Sequence, residues 1–461
     1  MPERALLIVV LAAGKGTRMK SAVPKVLHPI GAKSLLGHVL KAAAGAGAAS
    51  IAVVVGPDMD QVATEARAEA PGVQVFVQAQ QLGTGNALLA ARPVLENHNG
   101  DVIVLFGDTP LIRAETIAAA RDRLDRGADT VVVGFEPASP FGYGRILQGS
   151  DGEVLAIREE KDATPAEQTV GFCNSGIMGF RGERLLEILG RIGNGNAKGE
   201  YYLTDAIEIA RGLGLSAKAV KASADEVLGI NDRAQLAAAE ALFQTRMRAK
   251  AMENGASLVA PETVYFSHDT VLGEDVRVEP FVVFGPGVTV ADRVIIQSFS
   301  HLTGTDRKLK TGTRIGEGAE IGPFSRLRPG ADIGRDAHIG NFVEVKNVKV
   351  EDGAKANHLS YLGDGRVGKG ANIGAGTIFC NYDGFNKHFT DVGASAFIGS
   401  NSSLVAPVKI GDGAFIGSGS VITRDVAADA LALERSQQDE RPQWAAKFRQ
   451  LMARRKAAKA G

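Results

Sequence analysis

Only two cysteines, Cys173 and Cys380, occur in 461 residues, and they lie far apart. They supply neither a disulfide framework nor a cysteine-built zinc site, which points to a reducing compartment. Net charge is missing as well: 52 Lys and Arg balance 52 Asp and Glu. A chain without an overall field has no general attraction for nucleic acid or an anionic membrane, so neither partner is expected. Membrane-length apolar runs are also lacking. The apolar stretch Leu6–Ala13 is too short to cross a bilayer, runs straight into Gly14 and has no small-residue cleavage context. It reads as a buried strand of a cytoplasmic protein.

Glycine, by contrast, is abundant, with 56 residues. Many fall into a repeat of six in the second half. Ile315-Gly316, Ile321-Gly322, Ile333-Gly334 and Ile339-Gly340 share one register, with Leu327 and Val345 in the plain slots. Val367-Gly368 with Ile373-Gly374, and then Val392-Gly393 through Ile422, form further runs. Leu272, Val278, Phe284, Val290 and Ile296 form a weaker one. A helix repeats near 3.6 residues and a strand near 2, so neither alone gives six. A β-solenoid does: a short face and a turn recur, the aliphatic side chain points inward, and Gly allows the corner.

The first half alternates differently. Ala5–Leu11, Ile51–Val55, Val73–Val77, Val102–Leu105 and Thr130–Gly134 are aliphatic runs of strand length. Ala-rich or amphipathic stretches such as Ser34–Ala46 and Ala114–Arg126 separate them. This predicts an α/β domain with a Rossmann-like, mainly parallel sheet, whose ligands sit beyond the carboxyl ends of the strands. Residues 232–254 contain no Pro or Gly, begin at a candidate N-cap, Asp232, and end before Gly255. They read as one long helix joining two domains. The expected division is 1–231, a helical linker 232–254, and 255–461. The tail 441–461 carries seven basic residues and no acid, and reads as a solvated helix or a disordered end.

Residues 11–28 read LAAGKGTRMKSAVPKVLH: a strand ends in a Gly-rich loop bearing Lys15 and Arg18, and Lys25 follows Pro24. Loop amides without bulky side chains can wrap a polyphosphate, and the cations neutralise it. The Gly spacing fits neither the dinucleotide fingerprint nor a Walker loop. In QAQQLGTGNA (78–87), the amides of Gln78 and Gln81 could pair with a pyrimidine edge, while Gly83 and Thr84 permit close backbone approach. In FGDTPL (106–111), Asp108 follows a strand. Taken alone it could cap the next helix; beside a phosphate loop it is a natural Mg²⁺ ligand. GYGRI (142–146), EEKDA (159–163), NSG (174–176), GEYYLTD (199–205) and GIND (229–232) follow.

In the second half, RLRPG (326–330), GNFVEVK (340–346), NHLSYLG (357–363), NIGAGT (372–377) and CNYDGFNKH (380–388) gather polar groups where the solenoid is interrupted. The last breaks the six-residue register and should project as a loop. Cys380 has no His or cation paired with it in a local motif, which argues against a thiol nucleophile.

The opening motif resembles that of sugar-1-phosphate nucleotidyltransferases. The motifs of both halves, over about residues 5–435, resemble the bacterial bifunctional N-acetylglucosamine-1-phosphate uridyltransferase / glucosamine-1-phosphate acetyltransferase family. The resemblance implies an α/β nucleotidyltransferase domain joined by a long helix to a left-handed parallel β-helix. The general crossover rule favours a right-handed winding, so the left hand comes from the resemblance alone. It implies that Asp108 and Asn231 hold Mg²⁺ and that Leu11, Ala12, Gly14, Gln78, Gly83 and Thr84 contact UTP. Arg18 and Lys25 would steady the phosphates, and Gly144, Glu159 and Asn174 would bind the amino sugar. In the second half it implies His358 as the general base. Arg328, Lys346, Tyr361, Asn372 and Lys387 would hold the acceptor, and Ala375, Asn381, Tyr382, Ser400, Ser418 and Arg435 would line the acetyl-CoA side. It implies a homotrimer acting on glucosamine 1-phosphate, acetyl-CoA, UTP and N-acetylglucosamine 1-phosphate in the making of cell-wall and lipopolysaccharide precursors. Phe106 stands where the family often has Tyr, Asn86 where it often has His, and Ser418 where a smaller residue is usual. Two rivals remain: a single-activity nucleotidyltransferase whose solenoid only oligomerises, and a non-enzymatic sugar-nucleotide sensor.

Overall fold

The computed structural model describes residues 4–305 and 311–460. The chain forms two compact units, one of Met1–Ala251 with Tyr265–His268, the other of Met252–Val264 with Asp269–Gly461.

The elements of the first unit are, in order, β1 (Leu6–Ala12), α1 (Leu35–Gly45), β2 (Ser50–Val55), α2 (Asp60–Glu69), β3 (Gln74–Val77), α3 (Thr84–Ala90), β4 (Asp101–Phe106) and α4 (Ala114–Asp125). Then follow β5 (Thr130–Phe135), β6 (Arg145–Gln148), β7 (Val154–Arg158), β8 (Cys173–Arg181), α5 (Gly182–Leu189), α6 (Asp205–Gly212), β9 (Ala217–Lys221) and α7 (Arg233–Glu253). The main strand order is β9-β5-β8-β4-β1-β2-β3, with the hairpin β6–β7 attached through β8. All seven residues of β1 are buried. Leu6, Ile8 and Val10 enter the core on one face, and Leu7, Val9 and Leu11 the core on the other. A two-sided burial of this kind explains why β1 reads as a continuous apolar run rather than an alternating one. Helices pack against both faces, so the expected sheet is present.

The antiparallel β8, which lies between β4 and β5, was not foreseen. Its sequence, CNSGIMGFR, breaks the aliphatic pattern, and its register slips between Asn174 and Met178. Strand order reverses at β1: β2 and β3 follow it on one side and β4 returns on the other. The loops after β1 and β4 therefore splay apart and leave a crevice at the carboxyl end of the sheet.

Helix α7 begins as expected, with Asp232 Oδ1 accepting from Gln235 N at 2.9 Å, and Gly255 at φ +94° follows its end. Its packing is less that of a bare connector. Ala239 and Phe243 are buried with Ile30, Leu35, Leu111 and Ile230. Gln244 exchanges two hydrogen bonds with the Phe266 main chain, at 2.7 and 2.8 Å, and so draws Tyr265–His268 back onto the first unit.

The second unit is a three-sided parallel β-helix. Arg277 pairs with Ile295, and Phe397 with Phe415, so one coil takes 18 residues, or three hexads. Ile295 to Glu320 and Asn372 to Phe397 each take seven residues more than that. On one face Val278, Ile296, Ile321, Ile339, Ala356, Ile373, Ile398 and Ile416 stack inward, each at most 3% exposed. Apart from Gly322, at φ +101°, the hexad glycines do something other than turn corners. Several corners are left-handed at non-glycine residues, among them Asp336, Asn347, Leu359 and Asp364. At Gly334, whose φ is not positive, an added Cβ would stand 2.6 Å from Asp352 N on the next coil. These glycines are there because adjacent main chains touch.

Gly334→Ala should therefore destabilise the second unit by about 1–3 kcal/mol, the usual cost of overpacking. Urea unfolding followed on the second unit checks this. An unchanged midpoint would contradict the close-approach account.

Candidate active sites

The crevice at the switch point of the first unit is a cavity of about 340 Å³. Its wall brings together Leu11, Ala12, Gly14, Lys25, Gln78, Gly83, Thr84 and Asp108, all expected from the sequence, with Gln81, Phe106 and Glu200. Glu200 lies in GEYYLTD, where no role was expected for it.

The glycine loop is built for proximity. Gly16 has φ +62°, and a Cβ there would lie 2.5 Å from the Lys25 stem. Gln81 donates to the Ala13 carbonyl, so its amide nitrogen holds this loop in place rather than facing a base. Arg18 sits exposed on the short turn Thr17–Met19 and does not line the cavity.

Lys25 is the centre of charge. Its Nζ bonds Asp108 Oδ2 and lies 3.3 Å from Asn231 Oδ1. The loop after β1, the end of β4 and the start of α7 thus meet on one ammonium. Both ends of the ion pair are largely buried, with side chains 11% and 20% exposed. Among the described residues no group of three or more His, Cys, Asp or Glu is placed to hold a metal. One carboxylate and one amide oxygen around a single cation nevertheless suit a hard divalent ion that completes its shell with water and phosphate. The donor set fits.

The expected sugar residues also converge. Asn174 N donates to Gly144 O at 2.8 Å, and a Cβ on Gly144 would be 3.5 Å from Glu159 Oε1. Burial pushes the Glu159 carboxyl up, and a 3.2 Å hydrogen bond from Thr204 opposes it. The Phe106 ring lies over Gly176, whose φ is +87° and which leaves no room for a Cβ.

In the second unit one corner of the β-helix carries a column. Asn341 is the register partner of His358. Ala375, Ser400 and Ser418 hold the same position on the next coils, each three residues after the paired Asn372, Phe397 and Phe415. Main-chain bonds tie the corners together, for example Asn401 N to Ala375 O at 2.7 Å and Gly419 N to Ser400 O at 2.8 Å. Arg435 Nη1 donates to Ser418 O at 2.9 Å, which closes the far end. At about 4.8 Å per coil the column from Asn341 to Ser418 runs about 19 Å, an edge suited to a long extended ligand.

At its near end the exposed His358 sets Nδ1 2.7 Å from Asn341 Oδ1. An amide oxygen only accepts, so Nδ1 carries the proton and the lone pair of the neutral ring is on Nε2. Asn341 lies in GNFVEVK, where no role was expected for it.

A second group gathers around Asp364, also without an expected role. Asn381 Nδ2 and Asn347 Nδ2 donate to its carboxylate, and Lys346 Nζ stands 3.9 Å away. Tyr361, whose hydroxyl burial pushes up and a hydrogen bond with Asn381 lowers, lies over Gly363 beside them. Arg328 pairs with Glu344 at 2.7 Å. The loop after Cys380 is folded around Asp383. That carboxylate is held far below its usual range by the Asn386 amide first, then by His388 and the Phe385 amide. The loop carries Lys387 over the Tyr382 ring at 4.2 Å. Among the described residues no hydrogen bond or ion pair joins His358 to Arg328, Lys346 or Lys387. Asn372 lies on the face that ends in His358.

Residues 8–163 match the family described as a MobA-like NTP transferase domain. Residues 269–304, 312–347 and 389–424 match the bacterial transferase hexapeptide (six repeats), and the second unit is a left-handed parallel β-helix of that kind. A crystal structure of UDP-glucose pyrophosphorylase complexed with UDP-glucose covers 52% of this chain and 99% of its own, at 18% identity and a TM-score of 0.42, too slight a likeness to carry an argument. The bifunctional protein GlmU of Azorhizobium caulinodans is 59% identical over 449 residues, 97% of this chain and 98% of that protein. The bifunctional protein GlmU of Paramagnetospirillum magneticum is 52% identical over 461 residues, the whole of both chains. Identity above one half that runs through both units and both sets of motifs is more than a shared domain, and the chain belongs to the bifunctional GlmU family.

Proposed function

We propose that the two sites divide the two reactions of one bifunctional enzyme between the two units. The chain acetylates glucosamine 1-phosphate with acetyl-CoA and transfers UMP from UTP to N-acetylglucosamine 1-phosphate. The products are UDP-N-acetylglucosamine, a cell-wall and lipopolysaccharide precursor, and pyrophosphate. The observation that carries the division is the convergence of Lys25, Asp108 and Asn231 in one unit and the column from Asn341 to Ser418 in the other. The column also speaks against a solenoid that only oligomerises.

In the first unit the nucleophile is a phosphate oxygen of the sugar phosphate, already ionised at neutral pH, so no general base is needed. The obstacle is to align two polyanions. Lys25 and the glycine-loop amides neutralise and orient the triphosphate, while Glu159, Asn174 and Gly144 hold the sugar. Asp108 and Asn231 would hold Mg²⁺, which when bound supplies further charge compensation to the phosphates. In the second unit the acceptor amine arrives largely as ammonium and must lose a proton before it attacks the thioester. His358 Nε2 takes that proton, and Asn341 keeps the ring in the tautomer that can. Arg328, Lys346, Tyr361 and Lys387 grip the sugar phosphate. We assign the complete acetyl-transfer site to a homotrimer in which neighbouring prisms share residues, an assembly that hexapeptide repeats fit. No helix among the described residues is long and apolar enough to cross a membrane. Small soluble substrates and the two scattered thiols favour the cytoplasm.

Asp108→Asn should cut uridyl transfer by at least about 10²-fold, through loss of an anionic ligand where charge develops, and leave acetyl transfer untouched. Coupled pyrophosphate assays read the first and thiol release the second. Unchanged uridyl transfer would remove Asp108 from the site.

His358→Ala should lower acetyl transfer by about 10²–10⁴-fold, with a deficit that shrinks as pH rises and more acceptor arrives as free amine. Asn341→Ala should share that pH trend with a smaller loss. Turnover against pH, with acetyl-CoA binding measured alongside, checks both. A deficit constant across pH, or one explained by lost acetyl-CoA binding, would leave His358 a structural residue.

A further inference from the structure

Gln78, in the wall of the first-unit cavity, is only 4% exposed. Its amide nitrogen has two protons, and both are used: one goes to Gly83 O at 3.1 Å, the other to Asn86 Oδ1 at 2.8 Å. A main-chain carbonyl can only accept, so the direction of the Gln78 amide is not arbitrary. The nitrogen must face Gly83. Asn86, half-buried on α3, takes the remaining proton and closes the clamp. Among the described residues Oε1, an acceptor, is the polar atom of the amide left without a protein partner. The Gly83 N–H, on the same cavity wall, makes no hydrogen bond among the described residues.

An acceptor and a donor on one wall are complementary to the edge of uracil, which offers N3–H and O4. Cytosine presents the opposite pattern, a bare N3 and an N4 amine. We propose that Asn86 is a positioning residue that fixes the polarity of the Gln78 amide, and that this clamp makes the cavity select uracil over cytosine nucleotides. The inference rests on the reading of this cavity as the UTP site. Without the second acceptor, one hydrogen bond to Gly83 in place of two opposes the reversed amide. A donor then faces the base more often than in the wild type, which suits cytosine and not uracil. Asn86 needs only its oxygen for this, so any side chain that accepts at the same reach should serve.

The test is kcat/KM of the full chain with UTP and with CTP, N-acetylglucosamine 1-phosphate being the second substrate, for wild type, Asn86→Leu and Asn86→Asp. Asn86→Leu should shrink the UTP to CTP ratio by about tenfold, the scale of one misdirected buried hydrogen bond. Asn86→Asp, which keeps an acceptor, should hold the ratio within about twofold; any cost of its added charge falls on both nucleotides alike. If Asn86→Leu lowers both rates together, or neither, Asn86 merely supports α3 and the proposal is overturned. A fall in the ratio for Asn86→Asp as large as that for Asn86→Leu overturns it too. Should Asn86→Leu fail to fold, as judged by its acetyl transfer and thermal melt, Asn86→Ala takes its place under the same criteria. Gln78→Ala separates the two levels. A variant with unaltered UTP kcat/KM means that the cavity does not read the base at all, and the UTP reading itself then falls.

Discussion

A carboxylate left at the carboxyl end of a buried parallel strand needs a cation in reach, and for Asp108 that cation is Lys25. The pair draws three distant segments to one point: the glycine loop after β1, the turn after β4, and Asn231 just before α7. The reversal of strand order opens the crevice, and this junction charges it. The same geometry accounts for the residues that leave no chemical trace in the sequence. Gly16 has to be small because the Lys25 stem passes over it, and Gln81 holds the loop by its Ala13 carbonyl. Binding two polyanions side by side demands fixed cations and fixed amides, not a histidine or a thiol, and the crevice supplies those.

The second unit answers a different constraint. Stacked coils bring main chain onto main chain, which excludes a Cβ at Gly334 and its counterparts and leaves one corner free to vary without disturbing the interior. Asn341, His358, Ala375, Ser400 and Ser418 occupy that corner on successive coils. A repeat that needs only an aliphatic residue inward and glycine beside it can write almost anything at the following position. Here it writes Asn341, a histidine hydrogen-bonded to it, and an edge about 19 Å long.

Much of this was legible beforehand, and the exceptions have physical causes. The hexad gave the solenoid, and β1 and β2 were plain as apolar runs. Strand β8 was not, because its Asn, Ser and Gly residues disrupt the aliphatic signal. The corner column was in fact readable. It is the residue after each Ile-Gly pair in Ile339-Gly340-Asn341, Ile373-Gly374-Ala375, Ile398-Gly399-Ser400 and Ile416-Gly417-Ser418. The wider repeat hid it by drawing attention to the inward positions. Asp364 and Asn341 escaped because their partners lie one coil away, at separations that no local motif displays. The hexad glycines were assigned to corners, whereas non-glycine residues turn several of them and the glycines permit contact. Helix α7 looked like a connector because its sequence is mostly polar; only Ala239, Phe243 and Gln244 are buried, and they suffice to join it to the first unit.

The central claim is that one chain carries two chemically independent sites whose reactions meet at a shared intermediate. A single time course tests it most directly. Purified chain is given glucosamine 1-phosphate, acetyl-CoA, UTP and magnesium, and free thiol and pyrophosphate are followed together. The account predicts thiol from the start, pyrophosphate after a lag, and no pyrophosphate when acetyl-CoA is omitted. Pyrophosphate released without acetyl-CoA, or thiol released with pyrophosphate never following, would contradict it.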